Sequence, residues 1–307
     1  MKNEKQLMAE IALLYYKKGL TQQEIADSLR LTRQTVSKLL TAATDEGIVE
    51  ITVHNPEREK TEMEAAFEQE LHIRAVIADV SRNNDELRKL NTIERAIEYL
   101  TPIFQTGNLQ IAVSWGRSVQ ALIQQFPNLT TSGNTVFPLF GSTEHEQPYF
   151  QPNELAREFA RKLSSRVQYA WFPYQPDRTQ DFELFQRTSY YKNMQNSWSR
   201  FDVAIIGIGN NTAIRLLNPA LAENGKENSV IGDVAQHFFT ADGKLVETDA
   251  HTLQISAECL KATGEKIAIA YGNDKVNAIW GAIKAGFVDT LITDEYTARL
   301  LLQKTKQ

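Results

Sequence analysis

Residues 20–47 read LTQQEIADSLRLTRQTVSKLLTAATDEG. Thr21 precedes Glu24 by three residues, the spacing of a capping box that opens a helix. Ile25 and Leu29 then fall one turn apart on the same face. Ala26 is small enough for a close helix crossing. A turn is expected at Leu29-Arg30-Leu31, and Thr32 is the N-cap of a second helix. Val36, Leu39, Leu40 and Ala43 follow the i, i+3, i+4, i+7 stripe of a buried face. The opposite face carries Arg33, Gln34, Ser37, Lys38 and Thr41. Arg and Gln can make bidentate contacts to guanine and adenine edges in a major groove, and Ser, Thr and Lys suit phosphates. The stretch therefore reads as a helix-turn-helix whose second helix enters DNA by its N-terminal end. Thr21, Gln22, Thr32, Arg33, Gln34, Thr35, Ser37 and Lys38 are its candidate DNA contacts.

The flanks agree. Leu7, Ile11, Leu14 and Tyr15 make a stripe for a preceding helix. Gly47 stops the last one, and alternating Ile48 to Val53 reads as a strand of a wing. From Ser28 to Ala42 the only ionisable residues are Arg30, Arg33 and Lys38, although the chain is formally −5. DNA binding would rest on this local patch and depend on salt. A polar helical hairpin without DNA function carries one such cap or stripe, but not this combination of two caps, short turn, glycine stop and strand.

The head needs about 55 of the 307 residues, leaving enough chain for a large core. One cysteine, Cys259, excludes an intrachain disulfide and a cysteine-based metal site. The five histidines lack metal-ligand spacing, and no cofactor is indicated. The polar N-terminus has no signal-peptide core, and no run approaches the ~18 apolar residues of a membrane span. A cytoplasmic protein is expected. The boundaries read as a head over 1–55, a linker helix over 56–72 with Met63, Phe67 and Leu71 on one stripe, and a large domain over 73–307. The narrow stripe suits either a second helix or the domain's own surface.

From residue 75 short apolar runs alternate with helical patterns, which argues an open parallel α/β sheet. Four strands end in glycine loops: Gly116-Arg117-Ser118, Gly141-Ser142-Thr143, Gly207-Ile208-Gly209-Asn210, and Gly272 followed by Lys275. In open α/β sheets ligands bind beyond the carboxyl ends of the strands, and glycine lets backbone N–H groups approach an anion. Single glycines are commonly mere turn residues; four such loops, with a guanidinium and an ammonium, point to a phosphorylated small molecule. Gly207 to Thr212 opens like a dinucleotide fingerprint but has threonine at its sixth position. Asp242-Gly243 marks a hairpin insertion over 231–243, in which Asp233 is either an acceptor for sugar hydroxyls or a turn residue. Residues 172–198 resist assignment.

Together these residues resemble the SorC/DeoR-type sugar-binding transcriptional regulators of bacteria. The resemblance rests on Tyr15-Tyr16, Thr21-Gln22-x-Glu24-Ile25-Ala26 and Val36-Ser37-x-Leu39-Leu40 in the head. It continues in Trp115-Gly116-Arg117-Ser118, Gly207-Ile208-Gly209, Gly232-Asp233 and the tail from Lys275 to Leu301. It implies a winged helix-turn-helix joined to a Rossmann-like parallel-sheet effector domain resembling sugar-phosphate isomerases and deaminases. It also implies a homo-oligomer, dimer or tetramer, acting as a repressor of a carbohydrate catabolic operon. The implied partners are double-stranded operator DNA and a phosphorylated sugar, with no membrane. The sugar would contact Gly116, Arg117, Ser118, Gly141, Ser142, Thr143, Gly207, Gly209, Asn210, Asp233, Gly272 and Lys275. Tyr271 stands where the family commonly has a glycine, which changes one pocket wall. The rival reading is a sugar-phosphate isomerase or deaminase with an appended DNA-binding head; it requires a carboxylate base opposite the lysine.

Overall fold

The computed structural model describes residues 4–49, 62–78, 85–130, 133–210, 230–248 and 250–306. The chain divides into two compact units, Met1–Glu59 and Lys60–Gln307.

The first unit is helical where it is described. Helix α1 (Glu4–Ala12) runs into a π-helical turn, Leu13–Lys17, and is followed by α2 (Gln22–Leu29) and α3 (Arg33–Asp45). Thr21 and Glu24 form the full capping box: Thr21 Oγ1 accepts from the Glu24 N–H at 3.3 Å, and Glu24 Oε2 accepts from the Thr21 N–H at 2.8 Å. The Thr21 N–H and the Thr21 hydroxyl both donate to that carboxylate and hold it below its ordinary range. Thr32 caps α3 by accepting from the Thr35 N–H at 3.1 Å. Between the helices Arg30 takes a left-handed conformation (φ 55°), which closes the turn within a few residues. Ile11, Ile25, Ala26, Val36 and Leu40 form the core, and Leu39 packs against it only in part. Of the wing strand expected over Ile48 to Val53, Ile48 and Val49 are described and are not in a strand, and residues 50–53 lie outside the described residues.

In the second unit, α4 (Glu62–Leu71) buries Phe67 and Leu71 in the same core as strand β1 (Arg74–Ala78). Of the two partners open to its narrow stripe, the helix uses its own domain. Buried Glu64 accepts from the Ile77 N–H at 3.0 Å, which fastens α4 to β1. The next elements are α5 (Asp85–Gln105), β2 (Gln110–Val113), α6 (Arg117–Gln125), β3 (Thr135–Pro138), α7 (Pro152–Lys162) and β4 (Arg166–Val167). After them come α8 (Thr179–Arg187), α9 (Ser189–Trp198) and β5 (Val203–Gly207). The chain closes with α10 (Ala257–Lys261), β10 (Glu265–Ile269), α11 (Val276–Lys284), β11 (Thr290–Asp294) and α12 (Glu295–Lys304).

Seven strands form one sheet in the order β1-β11-β10-β5-β2-β3-β4, and every pairing is parallel. From β2 the chain moves outward through β3 to β4. It then returns to lay β5 on the other side of β2 and moves through β10 to β11. The strand order thus reverses between β2 and β5, and that reversal opens a crevice at their carboxyl ends. A second, antiparallel sheet comprises β6 (Gly209–Asn210), β7 (Gly232–Val234), β8 (His237–Phe239) and β9 (Leu245–Val246). The hairpin expected over 231–243 is part of it. Its tight turn lies at Ala235-Gln236, both at positive φ (49° and 59°), while Asp242-Gly243 joins β8 to β9. The segment 172–198 contains α8 and α9, whose buried residues Tyr191, Met194 and Trp198 reach the main core.

Candidate functional site

In the head, α3 presents Arg33, Gln34, Ser37 and Lys38 as exposed side chains. The buried residues Val36, Leu40 and Ala43 lie on its other face. None of the four makes a side-chain hydrogen bond or ion pair among the described residues. They are therefore free to meet a partner. Thr32 and Thr35 are not equally free, because their hydroxyls bond one another at 2.8 Å within the cap.

In the second unit, the carboxyl ends of β2, β5 and β10 bring together most of the expected effector residues. Gly116 sits at φ 122°, a conformation closed to other residues without strain, and open space surrounds the position of a side chain there. It begins α6, whose first turn has no side-chain cap, so those N–H groups are left to solvent or a ligand. Across the crevice, Lys275 Nζ donates to the Ile208 carbonyl at 2.6 Å, and Asn210 Nδ2 donates to Asp274 Oδ2 at 2.7 Å. Burial pulls the Lys275 ammonium below its ordinary pKa; Asp274 and Asp233 pull it back, and Arg117 opposes them. The Arg117 guanidinium lies 5.4 Å from the centre of the Tyr149 ring. A side chain at position 209 would strike the Asp233 carboxylate, so glycine there lets β6 pair with β7 over that group.

Three expectations change in detail. The N–H groups of Gly141 and Ser142 are already spent on the carbonyls of Leu253 and Phe172, at 3.0 and 2.8 Å. Gly141 is a glycine because the backbone at Pro173 leaves no room for a side chain. This loop therefore offers cavity wall rather than backbone anion donors, and the Thr143 hydroxyl donates to the Phe150 carbonyl at 2.5 Å. Second, burial raises the Tyr271 phenol above its ordinary pKa and the neighbouring Ser118 draws it back, so the tyrosine stands beside the start of α6. Third, the Gly272 N–H donates to Thr297 Oγ1 at 2.9 Å, and the buried Asp294 accepts from the Thr297 N–H at 3.0 Å. The Gly272 N–H thus anchors the lysine loop to β11 and α12.

A cavity of about 410 Å³ adjoins these loops. Trp115, Phe150, Tyr174 and Phe185 are among its walls. Trp115 stacks on Phe140 with centroids 4.1 Å apart and meets Tyr174 edge-on at 5.2 Å. Asp177, Asp181 and Gln236 also line it. None of these three was legible as a site residue, because the 172–198 segment shows no clean period and Gln236 stands in a turn. Aromatic residues in an otherwise polar stretch were the available signal.

Two titratable groups stand in the hairpin sheet, Asp233 buried and His237 half-buried. Burial pushes the Asp233 carboxyl up to about 6, against the Gln236 N–H and the charge of Lys275. Burial pulls the His237 imidazole down to about 4, opposed by its bond to the Ile255 carbonyl (3.0 Å) and by Glu258, with Lys261 adding to the depression. The two act oppositely on stability. Asp233 has a raised folded pKa, so its contribution is fully present below about 4 and is lost as pH rises through about 6. His237 has a depressed one, so its contribution is present above 6.5 and is lost as pH falls towards about 4. Each swing is on the order of 3 kcal/mol from the 1.36 kcal/mol per pKa unit. Relative to the parent chain, Asp233→Asn should gain stability between pH 4 and 6, and His237→Gln should lose it between pH 4 and 6.5. Urea midpoints measured at pH 4.5, 5.5 and 6.5 check both slopes; parallel profiles for all three proteins would refute the assignment.

A family model described as "Putative sugar-binding domain" matches residues 55–303, and one described as a Crp-like helix-turn-helix domain matches residues 13–58. The chain belongs to the SorC/DeoR-type sugar-binding transcriptional regulators. Among relatives of this regulator, the sorbitol operon regulator of Klebsiella pneumoniae is 28% identical, covering 97% of this chain and 98% of that protein. The deoxyribonucleoside regulator of Bacillus subtilis (strain 168) is 25% identical, covering 98% of each. The crystal structure of the full-length sorbitol operon regulator superposes with a TM-score of 0.72 at 26% identity, covering 98% of this chain and all of the other. The regulator is thus a transcription factor of sugar-operon type, with a DNA-binding head and a sugar-binding α/β domain. Among the described residues no helix is long and apolar enough to cross a membrane.

Proposed function

We propose that this regulator represses a carbohydrate catabolic operon and that a phosphorylated sugar releases it from its operator. The observation that carries the effector reading is the crevice at the strand-order reversal. There Lys275, Arg117, the glycine at 116 and the uncapped first turn of α6 supply positive charge and donors at one place. Buried positive charge and a free helix N-terminus suit a phosphate. Gly207, Gly209, Asn210, Asp233 and Gly272 shape the remainder of that crevice. Relatives named for sorbitol, erythritol and deoxyribonucleosides support a carbohydrate-linked effector.

On the DNA side, Arg33 and Gln34 read base edges, while Ser37, Lys38, Thr21 and Gln22 hold the backbone. A homodimer would place two copies of α3 about 34 Å apart on a pseudo-palindrome. A coupling of about 1–3 kcal/mol between the sites would change operator affinity about 5–150-fold.

The rival isomerase or deaminase needs a free carboxylate. Asp233 is the buried carboxylate nearest that description, but its Oδ2 accepts from both the N–H and the Nε2 of Gln236, at 3.0 and 3.3 Å. That carboxylate is engaged in holding the hairpin turn, which favours a binding role.

The test has two arms. A thermal-shift panel of pentose, hexose and hexitol phosphates should raise the melting temperature of the full chain for at least one member. Fluorescence anisotropy on a duplex selected from a random pool should then show weaker binding when that member is added. Stabilisation by no phosphorylated sugar would remove the effector reading. Stronger DNA binding on addition would reverse the sign of regulation, and turnover would restore the enzyme.

A further inference from the structure

The cavity beside the crevice has a one-sided chemistry. Besides its four aromatic walls it is lined by Glu144, Asp177 and Asp181, and no Lys or Arg of the described residues lines it. Gln236 is buried to 6% exposure and lines the same space. Its Nε2 is committed to Asp233, and its amide oxygen accepts no hydrogen bond among the described residues. The one imidazole present, His145, uses Nδ1 to accept from the Gln147 N–H at 3.2 Å and packs on Phe150. The cavity therefore offers carboxylate acceptors, rings and a few uncharged polar side chains such as Gln175.

It also adjoins the positive crevice. Trp115 lines the cavity and precedes Gly116, whose N–H donates to the Tyr149 carbonyl at 2.8 Å. Phe150, the next residue, lines the cavity too. On the other side Gln236 connects it to Asp233, which lies in the field of Lys275. A ligand occupying both spaces would have one end among cations and the other among carboxylates.

We infer that the cavity receives the hydroxyl-bearing end of the effector and that Glu144, Asp177 and Asp181 exclude a second phosphate. The effector class is a monophosphorylated sugar or alditol, and sugar bisphosphates are rejected. Hydroxyls are donors that carboxylates and the Gln236 oxygen satisfy, and sugar C–H faces pack on the rings. A phosphate in the same place presents only acceptors and like charge, so a built repulsion discriminates between the two classes. This inference rests on the phosphorylated-effector reading above.

The test is calorimetric titration of the full chain with fructose 6-phosphate, glucitol 6-phosphate, 2-deoxyribose 5-phosphate, fructose 1,6-bisphosphate and unphosphorylated glucitol. Intrinsic tryptophan fluorescence is followed alongside in the parent chain and in a Trp115→Phe variant, and each titration is repeated on an Asp177→Asn/Asp181→Asn variant. The expected result is that the best monophosphate binds at least about tenfold more tightly than the bisphosphate and changes the tryptophan fluorescence of the parent chain but not that of the Trp115→Phe variant. In the variant the monophosphate should weaken and the bisphosphate strengthen, so that the gap narrows. A bisphosphate that binds the parent chain as tightly as any monophosphate overturns the inference and leaves the effector reading intact. So does a gap that the variant leaves unchanged. Binding of glucitol but of no phosphorylated member overturns the effector reading; weaker glucitol binding in the variant would then preserve the cavity as a hydroxyl site, and unchanged binding would overturn both.

Discussion

Arg33→Ala and Gln34→Ala should each erase about 5–150-fold of the preference for operator over random DNA, the equivalent of 1–3 kcal/mol per bidentate base contact. Lys38→Ala should instead weaken binding to both DNAs and lower the salt slope by about one unit. The contrast follows from where the residues sit. Arg33 and Gln34 are the first two residues of α3, beyond the Thr32 cap, whereas Lys38 stands more than a turn further along. The three side chains are exposed. Their replacement removes no packing, and the head should melt at its parental temperature. Anisotropy titrations at several salt concentrations, on operator and scrambled duplexes, check the pattern. Equal losses on both duplexes for all three variants would mean that α3 does not read bases.

Lys275→Gln should cost the effector about 2–5 kcal/mol, at least about 30-fold in affinity, by leaving a phosphate without its buried charge. Glutamine is the informative substitution because its amide can still donate to the Ile208 carbonyl, which Lys275 Nζ approaches at 2.6 Å. The β5 loop thus keeps a partner while the charge is lost. Loss of that charge also removes one of the two influences that hold the Asp233 carboxyl down, so Asp233 becomes harder to ionise. Operator binding without effector should persist, and the complex should no longer respond to sugar phosphate. A variant that responds at the parental effector concentration would show that the phosphate lies elsewhere.

The two sites differed in how much of them could be read in advance. In the head, each decisive feature is local. The Thr21–Glu24 box, the Thr32 cap and the alternation of buried and exposed faces all span three or four residues, and the structure forms each bond at the expected spacing. In the α/β domain, four glycine loops looked equivalent in sequence and are not. Gly116 stands in open space at positive φ, whereas Gly141 is crowded by the backbone at Pro173. Strand β4 escaped notice because it is two residues long. Helices α8 and α9 were hidden because α8 has no buried residue and carries the exposed Leu184, which blurs any helical stripe.

The sequence by itself determined the exposed polar face of α3 and the alternation of strands and helices, because caps, turns and apolar periods are short-range properties of neighbouring residues. Only the tertiary structure decided where the candidate crevice lies. The reversal of strand order between β2 and β5 sets residues 116–118 beside residues 207–210, although some ninety positions separate them. It also decided the use of particular groups: the Gly141 and Ser142 N–H groups go to the chain at 253 and 172, and the Gly272 N–H goes to Thr297. A hydrogen-bonding group has one set of partners at a time, and those partners are fixed by how distant segments pack.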